Sequence, residues 1–351
     1  MRESEPTRAR YPDEEGYAER NGVRLFYEVH GEGDPTLILV APGPSVPARA
    51  WKAQIPYLAR HFRVVAYDPR GNGKSDRPRG VDALRVQEFA ADTLAVMDAT
   101  ATDRAVIVSH ASSARPALLL LAEHPERFTG AVFIAPYLPL TRWPPVDVMR
   151  HTYEERSAIR RALRMVLGTA AGLPRVARMR SYWRFSRGVR FLEGVKKFNR
   201  HFWARDQRSF VEWNFRVLDL PEAHSTKQIE DGIEWGMGAD AQTLIDAWIA
   251  LDIADDAVLR QRDEILACCA RVRCPVLVIT GEHDIATPPE WAAILADATS
   301  GTLVTIEDCG HVPHGRKPVA VNLALREFAE ACHERRDLAA TAEPERIAEG
   351  H

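Results

Sequence analysis

The chain has 351 residues, 46% of them hydrophobic, and a formal charge of −3 at neutral pH. That length accommodates one large domain carrying an insertion, or two domains, and the near-neutral balance argues against bulk nucleic-acid affinity. No apolar run approaches the roughly 18–20 residues of a membrane span, and the opening MRESEPTRAR lacks the apolar stretch of a signal peptide.

Residues 1–15 are charged and unpatterned and are expected to form a disordered leader. Tyr17–Arg20 and Val23–Val29 alternate around Asn21-Gly22, a strong hairpin signal. Buried strands are predicted at Thr36–Val40, Phe62–Tyr67, Ala105–Val108 and Gly130–Ile134, and helices at Trp51–Arg60 and Val86–Ala99. The same rhythm returns near the C-terminus, with strands at 274–280 and 302–307 and helices at Pro289–Ala298 and Lys317–His333. The polar tail, 338–351, is expected to fray. Near-continuous apolar strands alternating with helices predict an α/β fold, a mostly parallel sheet with helices on both faces, built from 16–138 and 270–337.

Between 139 and 269 the strand pattern gives way to helical segments, with capping-box spacing at Ser225 and Gln228. Six of the eight tryptophans lie in this insertion, interleaved with phenylalanines. Most are expected to pack the insertion itself, and the rest to line an apolar pocket, with Trp143, Trp183 and Trp213 as candidates beside His110. From Arg156 to Arg208 there are fifteen Lys/Arg against only Glu193 and Asp206. They read either as a solvated face or, through an arginine such as Arg184 or Arg187, as a holder of a carboxylate, phosphate or acyl-carrier partner. The five cysteines are odd in number and show no metal-ligand spacing, as free thiols in a reducing cytoplasm would.

The organising stretch is 104–136, RAVIVSHASSARPALLLLAEHPERFTGAVFIAP: a strand, an abrupt turn of small residues, a helix and a second strand. The turn resembles the nucleophile elbow of the α/β-hydrolase superfamily, G-x-S-x-G. Ser109 and Ser113 stand at its two glycine positions, and Ala111 stands where the attacking serine belongs. The resemblance, covering roughly 17–136 and 270–335, implies a helical cap over the site at 139–269. It also implies an acid after the seventh strand, Asp284, and a base after the eighth, His311, with His314 as the less well-spaced rival. Backbone N–H groups of Ser112 and Gly43 would form the oxyanion hole, because Pro42 and Pro44 have none to give. The Asp68–Gly73 turn also resembles a family feature and reads as structural.

The implied activity is that of an esterase or lactonase acting on a bulky apolar small-molecule ester or lactone, with no metal or cofactor. Four readings of Ala111 stay open: a serine replaced by experiment to trap substrate; attack from Ser112 after a one-residue shift; an elimination, cyclisation or isomerisation by the His311–Asp284 pair; and a catalytically dead ligand-binding protein.

Overall fold

The computed structural model describes residues 9–141, 194–221, 226–251 and 257–342. Asn21 and Gly22 both take left-handed backbone angles, φ 51° and 77°, as a two-residue type I′ hairpin turn demands. They join β1 (Glu14–Arg20) to β2 (Val23–His30) in antiparallel register, with Arg20 opposite Val23. Six further strands complete one sheet: β3 (Leu37–Val40), β4 (Val64–Tyr67), β5 (Ala105–His110), β6 (Phe128–Ile134), β7 (Val276–Gly281) and β8 (Thr302–Ile306). Their order is β1-β2-β4-β3-β5-β6-β7-β8, and every pairing from β4 to β8 is parallel.

β3, β4 and β5 are buried at every position, as strands covered on both faces must be. The pleat sends alternate side chains to opposite layers. Ile38 and Val40 join the apolar cluster under α2 (Val86–Ala99) and α3 (Ala114–Glu123). Leu37 and Leu39 join the cluster shared with the short α1 (Ile55–Leu58) and with a long C-terminal helix.

Where sequence predicts one helix over Trp51–Arg60, the structure has a 3-10 turn, Ala48–Trp51, and then α1, with a proline in its first turn. Pro56 has no N–H to donate to an earlier carbonyl, so helix can start there but not run through. Sheet pairing also begins inside the expected leader. The Asp13 N–H donates to the Val29 carbonyl at 2.9 Å, and β1 starts at Glu14.

The described part of the insertion is helical: α4 (Arg200–Trp203), α5 (Gln207–Trp213), a π-helical turn at Asn214–Asp219, α6 (Thr226–Gly236) and α7 (Ala241–Ala250). Asn199 and Asp206 cap α4 and α5 through their side chains. Trp203 is fully buried, stacked on Phe210 at 4.2 Å between centroids and edge-on to Phe198. α8 (Ala257–Cys269), which the sequence boundary at 269 gives to the insertion, packs on α3 and on α9 (Pro289–Ala298), so it belongs to the core layer. A short α10 (Pro313–Arg316) precedes α11 (Pro318–Ala342), which runs past the expected boundary at 337. The Gln228 amide donates to the Gly315 carbonyl of the core, and Ser225, its expected capping partner, lies outside the described residues.

Candidate active site

β5 delivers the chain to His110, and Ala111 then turns into left-handed space at φ 50°. For a residue with a Cβ that conformation costs on the order of 1 kcal/mol or more, so the surroundings must hold it. Ser113 Oγ accepts from the His110 N–H at 2.9 Å and lies 2.8 and 3.0 Å from the His110 and Val40 carbonyls, either of which can take its proton. The Tyr137 N–H donates to the Ala111 carbonyl at 2.9 Å. Ser109 Oγ donates to the Val132 carbonyl on β6 at 3.2 Å. The two serines standing at glycine positions are therefore bonded into the turn. Ser112 does not share the left-handed backbone, so the apex of the elbow is Ala111.

Asp284 and His311 arrive on loops leaving β7 and β8, at the same edge of the sheet. Gly281 lets those loops close: a Cβ there would sit 2.1 Å from the Gly310 carbonyl oxygen. Asp284 is fully buried, and its Oδ1 accepts from the Ala286 and Thr287 N–H groups, each at 2.8 Å. Its Oδ2 takes the Thr287 hydroxyl at 2.6 Å and stands 2.9 Å from His311 Nδ1. A carboxylate so supplied with donors holds the imidazole in one orientation and sets Nε2 as the nitrogen that would move a proton. His311 is 6% exposed and lines the same cavity as Ala111.

That cavity, about 190 Å³, lies between sheet edge and insertion. Gly43 and Ser112 line it on the core side. A Cβ at Gly43 would meet Phe89 and Pro69 at 2.7 Å, so the loop after β3 packs as closely as glycine permits. Phe210, Phe215, Leu218, Trp235 and Trp248 give the opposite side a mainly apolar surface. His110, one of the expected pocket residues, is in the wall. Trp213 is not: it stands on the part of α5 that packs within the insertion, buried against Gly194 and Phe210. Trp143, Trp183, Arg184 and Arg187 lie outside the described residues.

His314, the rival base, has a different environment. Its ring sits 4.9 Å from Trp51 and 4.5 Å from His110, and His110 Nε2 is 3.0 Å from the His311 carbonyl. Burial, and next the charge on His311, bring the His314 pKa down to about 3; burial, then His314 and His311, hold His110 well below the usual imidazole value. Both line the cavity, and burial keeps both imidazoles neutral at ordinary pH.

Thr287 was not singled out from sequence, although a threonine three residues after an aspartate at a strand's end is a legible local hydrogen-bond pattern. The Asp68 turn is structural: its carboxylate accepts from the Ala48 and Lys74 N–H groups, each at 2.8 Å. None of the five cysteines forms a disulfide, and burial raises the thiols of Cys269 and Cys274 to about 12. Glu282, His283 and Asp308 bring ligand-type atoms within 4.8 Å of one another at the surface, a grouping common without any ion. Among the described residues no helix is long and apolar enough to cross a membrane.

The family model described as "alpha/beta hydrolase fold" matches residues 35–318. Epoxide hydrolase A of Mycobacterium tuberculosis is 32% identical over 143 residues, 40% of this chain and 44% of that protein, so the chain spans less than half of that relative's length. Among solved structures, the enol-lactonase from Burkholderia xenovorans LB400 aligns with a TM-score of 0.59 at 20% identity, over 89% of this chain and 99% of that one. A thermophilic esterase from Thermogutta terrifontis aligns with a TM-score of 0.62 at 21% identity, over 91% and 99%. At such identities the structural likeness speaks for fold alone. With the family match spanning most of the sequence, and the sheet order and elbow agreeing with it, the chain belongs to the α/β-hydrolase fold family.

Proposed function

We propose that this is an esterase- or lactonase-type site for a bulky, largely apolar small molecule, in which Ala111 occupies the place of the attacking serine. The observation that carries the reading is the combination of a left-handed Ala111 with an assembled His311–Asp284 pair at 2.9 Å. A turn that had lost its purpose would relax out of left-handed space, and a discarded carboxylate would not stay buried with four partners. With a hydroxyl at position 111, attack on the carbonyl would pass its proton to His311 Nε2 and on to the leaving group, while Asp284 steadies the imidazole. The Ser112 and Gly43 N–H groups would hold the oxyanion. As the chain stands, it binds such substrates and lacks the acyl-enzyme route.

Ala111→Ser, assayed with p-nitrophenyl esters and small lactones, is the test. A gain of about 10³-fold or more over the alanine form supports the hydrolytic site. No gain, with the variant folded, contradicts it. A second reading rests on Ser109 and Ser113. Their bonds to the Val132, Val40 and His110 carbonyls show an elbow that departs from the glycine pattern at more than the missing hydroxyl. This favours acid–base chemistry by His311–Asp284 alone, and turnover of a substrate by the alanine form without an acyl intermediate would establish it.

A further inference from the structure

The cap side of the cavity is apolar except at few places, and one of them coincides with an irregular helix. Residues Asn214–Asp219 form a π-helical turn continuing α5. Such turns are rare and their extra residue shifts side chains out of the regular helical face, often at ligand sites. Both ends of this turn, Asn214 and Asp219, line the cavity together with Phe210, Phe215, Leu218 and Leu220. The Asn214 amide nitrogen donates to Asp219 Oδ2 at 2.8 Å.

That bond decides the orientation of the carboxamide. A carboxylate only accepts, so the NH2 end must face Asp219 and the carbonyl oxygen Oδ1 must be the other end. Oδ1 is thereby set as an acceptor on the cap side of the cavity, where Phe210, Phe215, Leu218 and Leu220 are its apolar neighbours in the lining. An oriented acceptor in apolar surroundings discriminates strongly, because a ligand lacking the matching donor leaves it without a partner.

We infer that Asn214, positioned by Asp219, is a specificity residue for substrates carrying a hydroxyl or amide N–H on the part of the molecule that lies under the cap. This rests on the proposed ester- or lactone-binding site and narrows its substrate class to apolar acyl compounds with one hydrogen-bond donor remote from the carbonyl. The π-turn is the device that brings both residues to the cavity: in a regular α-helix, positions five apart do not share a face.

The test uses the protein as it is, with Ala111 in place, and reads binding by tryptophan fluorescence, since Trp235 and Trp248 line the cavity. The probes are methyl decanoate and its 3-, 6- and 10-hydroxy derivatives. At least one hydroxylated ester is expected to bind about tenfold more tightly than the parent. Asn214→Leu, and as a smaller change Asn214→Ala, should erase that preference, so that each variant binds methyl decanoate and its hydroxylated derivatives with affinities within about twofold of one another. Asp219→Asn should weaken the preference without abolishing it. If methyl decanoate binds and no hydroxyl improves it, or if a preference survives both Asn214 variants, this inference fails and the ester site stands. If none of the four esters binds, the ester site falls and the inference with it.

Discussion

At position 111 the side chain is one methyl group, and the backbone beneath it is the informative part. Ala111, Asp284 and His311 could be grouped from sequence because each follows a strand whose apolar run is readable, and strand ends share an edge of a parallel sheet. Thr287 escaped because its role depends on how the loop after β7 folds back. There its hydroxyl, 2.6 Å from Asp284 Oδ2 and 3.3 Å from His311 Nδ1, steadies the pair. In the Ala111→Ser background, Thr287→Val is expected to lower kcat about tenfold with KM little changed, while Thr287→Ser retains most of the activity. An unchanged kcat would assign Thr287 to packing alone. The neutral histidines carry a second consequence. A His held below its unfolded pKa of about 6.5 stabilises the fold fully above that pH and loses its contribution as pH falls toward its folded value. For His314, folded near 3, the loss at pH 5 is on the order of 2 kcal/mol. Urea midpoints should therefore be flat above pH 7 and fall below 6.5, and His314→Phe should flatten that fall; an unaltered slope would contradict the assignment.

Among the elements, those with a clean period were legible and those ended by a single residue were not. The Asn21-Gly22 turn and α2 were found to the residue, whereas β1 starts three residues before the expected Tyr17 and the helix expected at Trp51–Arg60 was cut to α1 by Pro56. Asp92 shows a different blindness. A charge in the middle of an amphipathic helix reads as solvent-facing, yet Asp92 is fully buried. It takes two bonds from Arg70, at 2.5 and 2.6 Å, and one from Arg20 at 2.9 Å. This ties α2 to β1 and to the turn after β4. Arg20 and Arg70 both keep Glu88 as a second partner, so Asp92→Ala is expected to cost about 2–3 kcal/mol in denaturant unfolding rather than the full penalty of an unpaired buried charge. A loss below 1 kcal/mol would show that Arg20 and Arg70 find other partners or water.

Over the whole molecule, the cap is held to the core by polar contacts that sequence patterns do not encode. Lys52 pairs with Asp231 on α6, the Asn72 amide donates to the Trp235 carbonyl at 3.2 Å, and Arg77 donates to the Gly238 carbonyl at 2.9 Å. All three core residues sit on loops leaving β3 and β4, so the sheet edge that presents Ala111 and His311 also seats the cap. The aromatic wealth of the insertion was visible in the sequence, but which tryptophans face the cavity was not: Trp213 packs inward, and Trp235 and Trp248 form the wall. The proposed activity requires that this site be arranged for a nucleophile at position 111. Intact-mass analysis of Ala111→Ser, quenched within seconds of mixing with p-nitrophenyl butyrate, tests that requirement most directly. One butyryl group should appear on the variant, at the residue introduced at position 111, and should be absent from the alanine form. Release of p-nitrophenol by the variant no faster than by the alanine form, with no adduct, would contradict it.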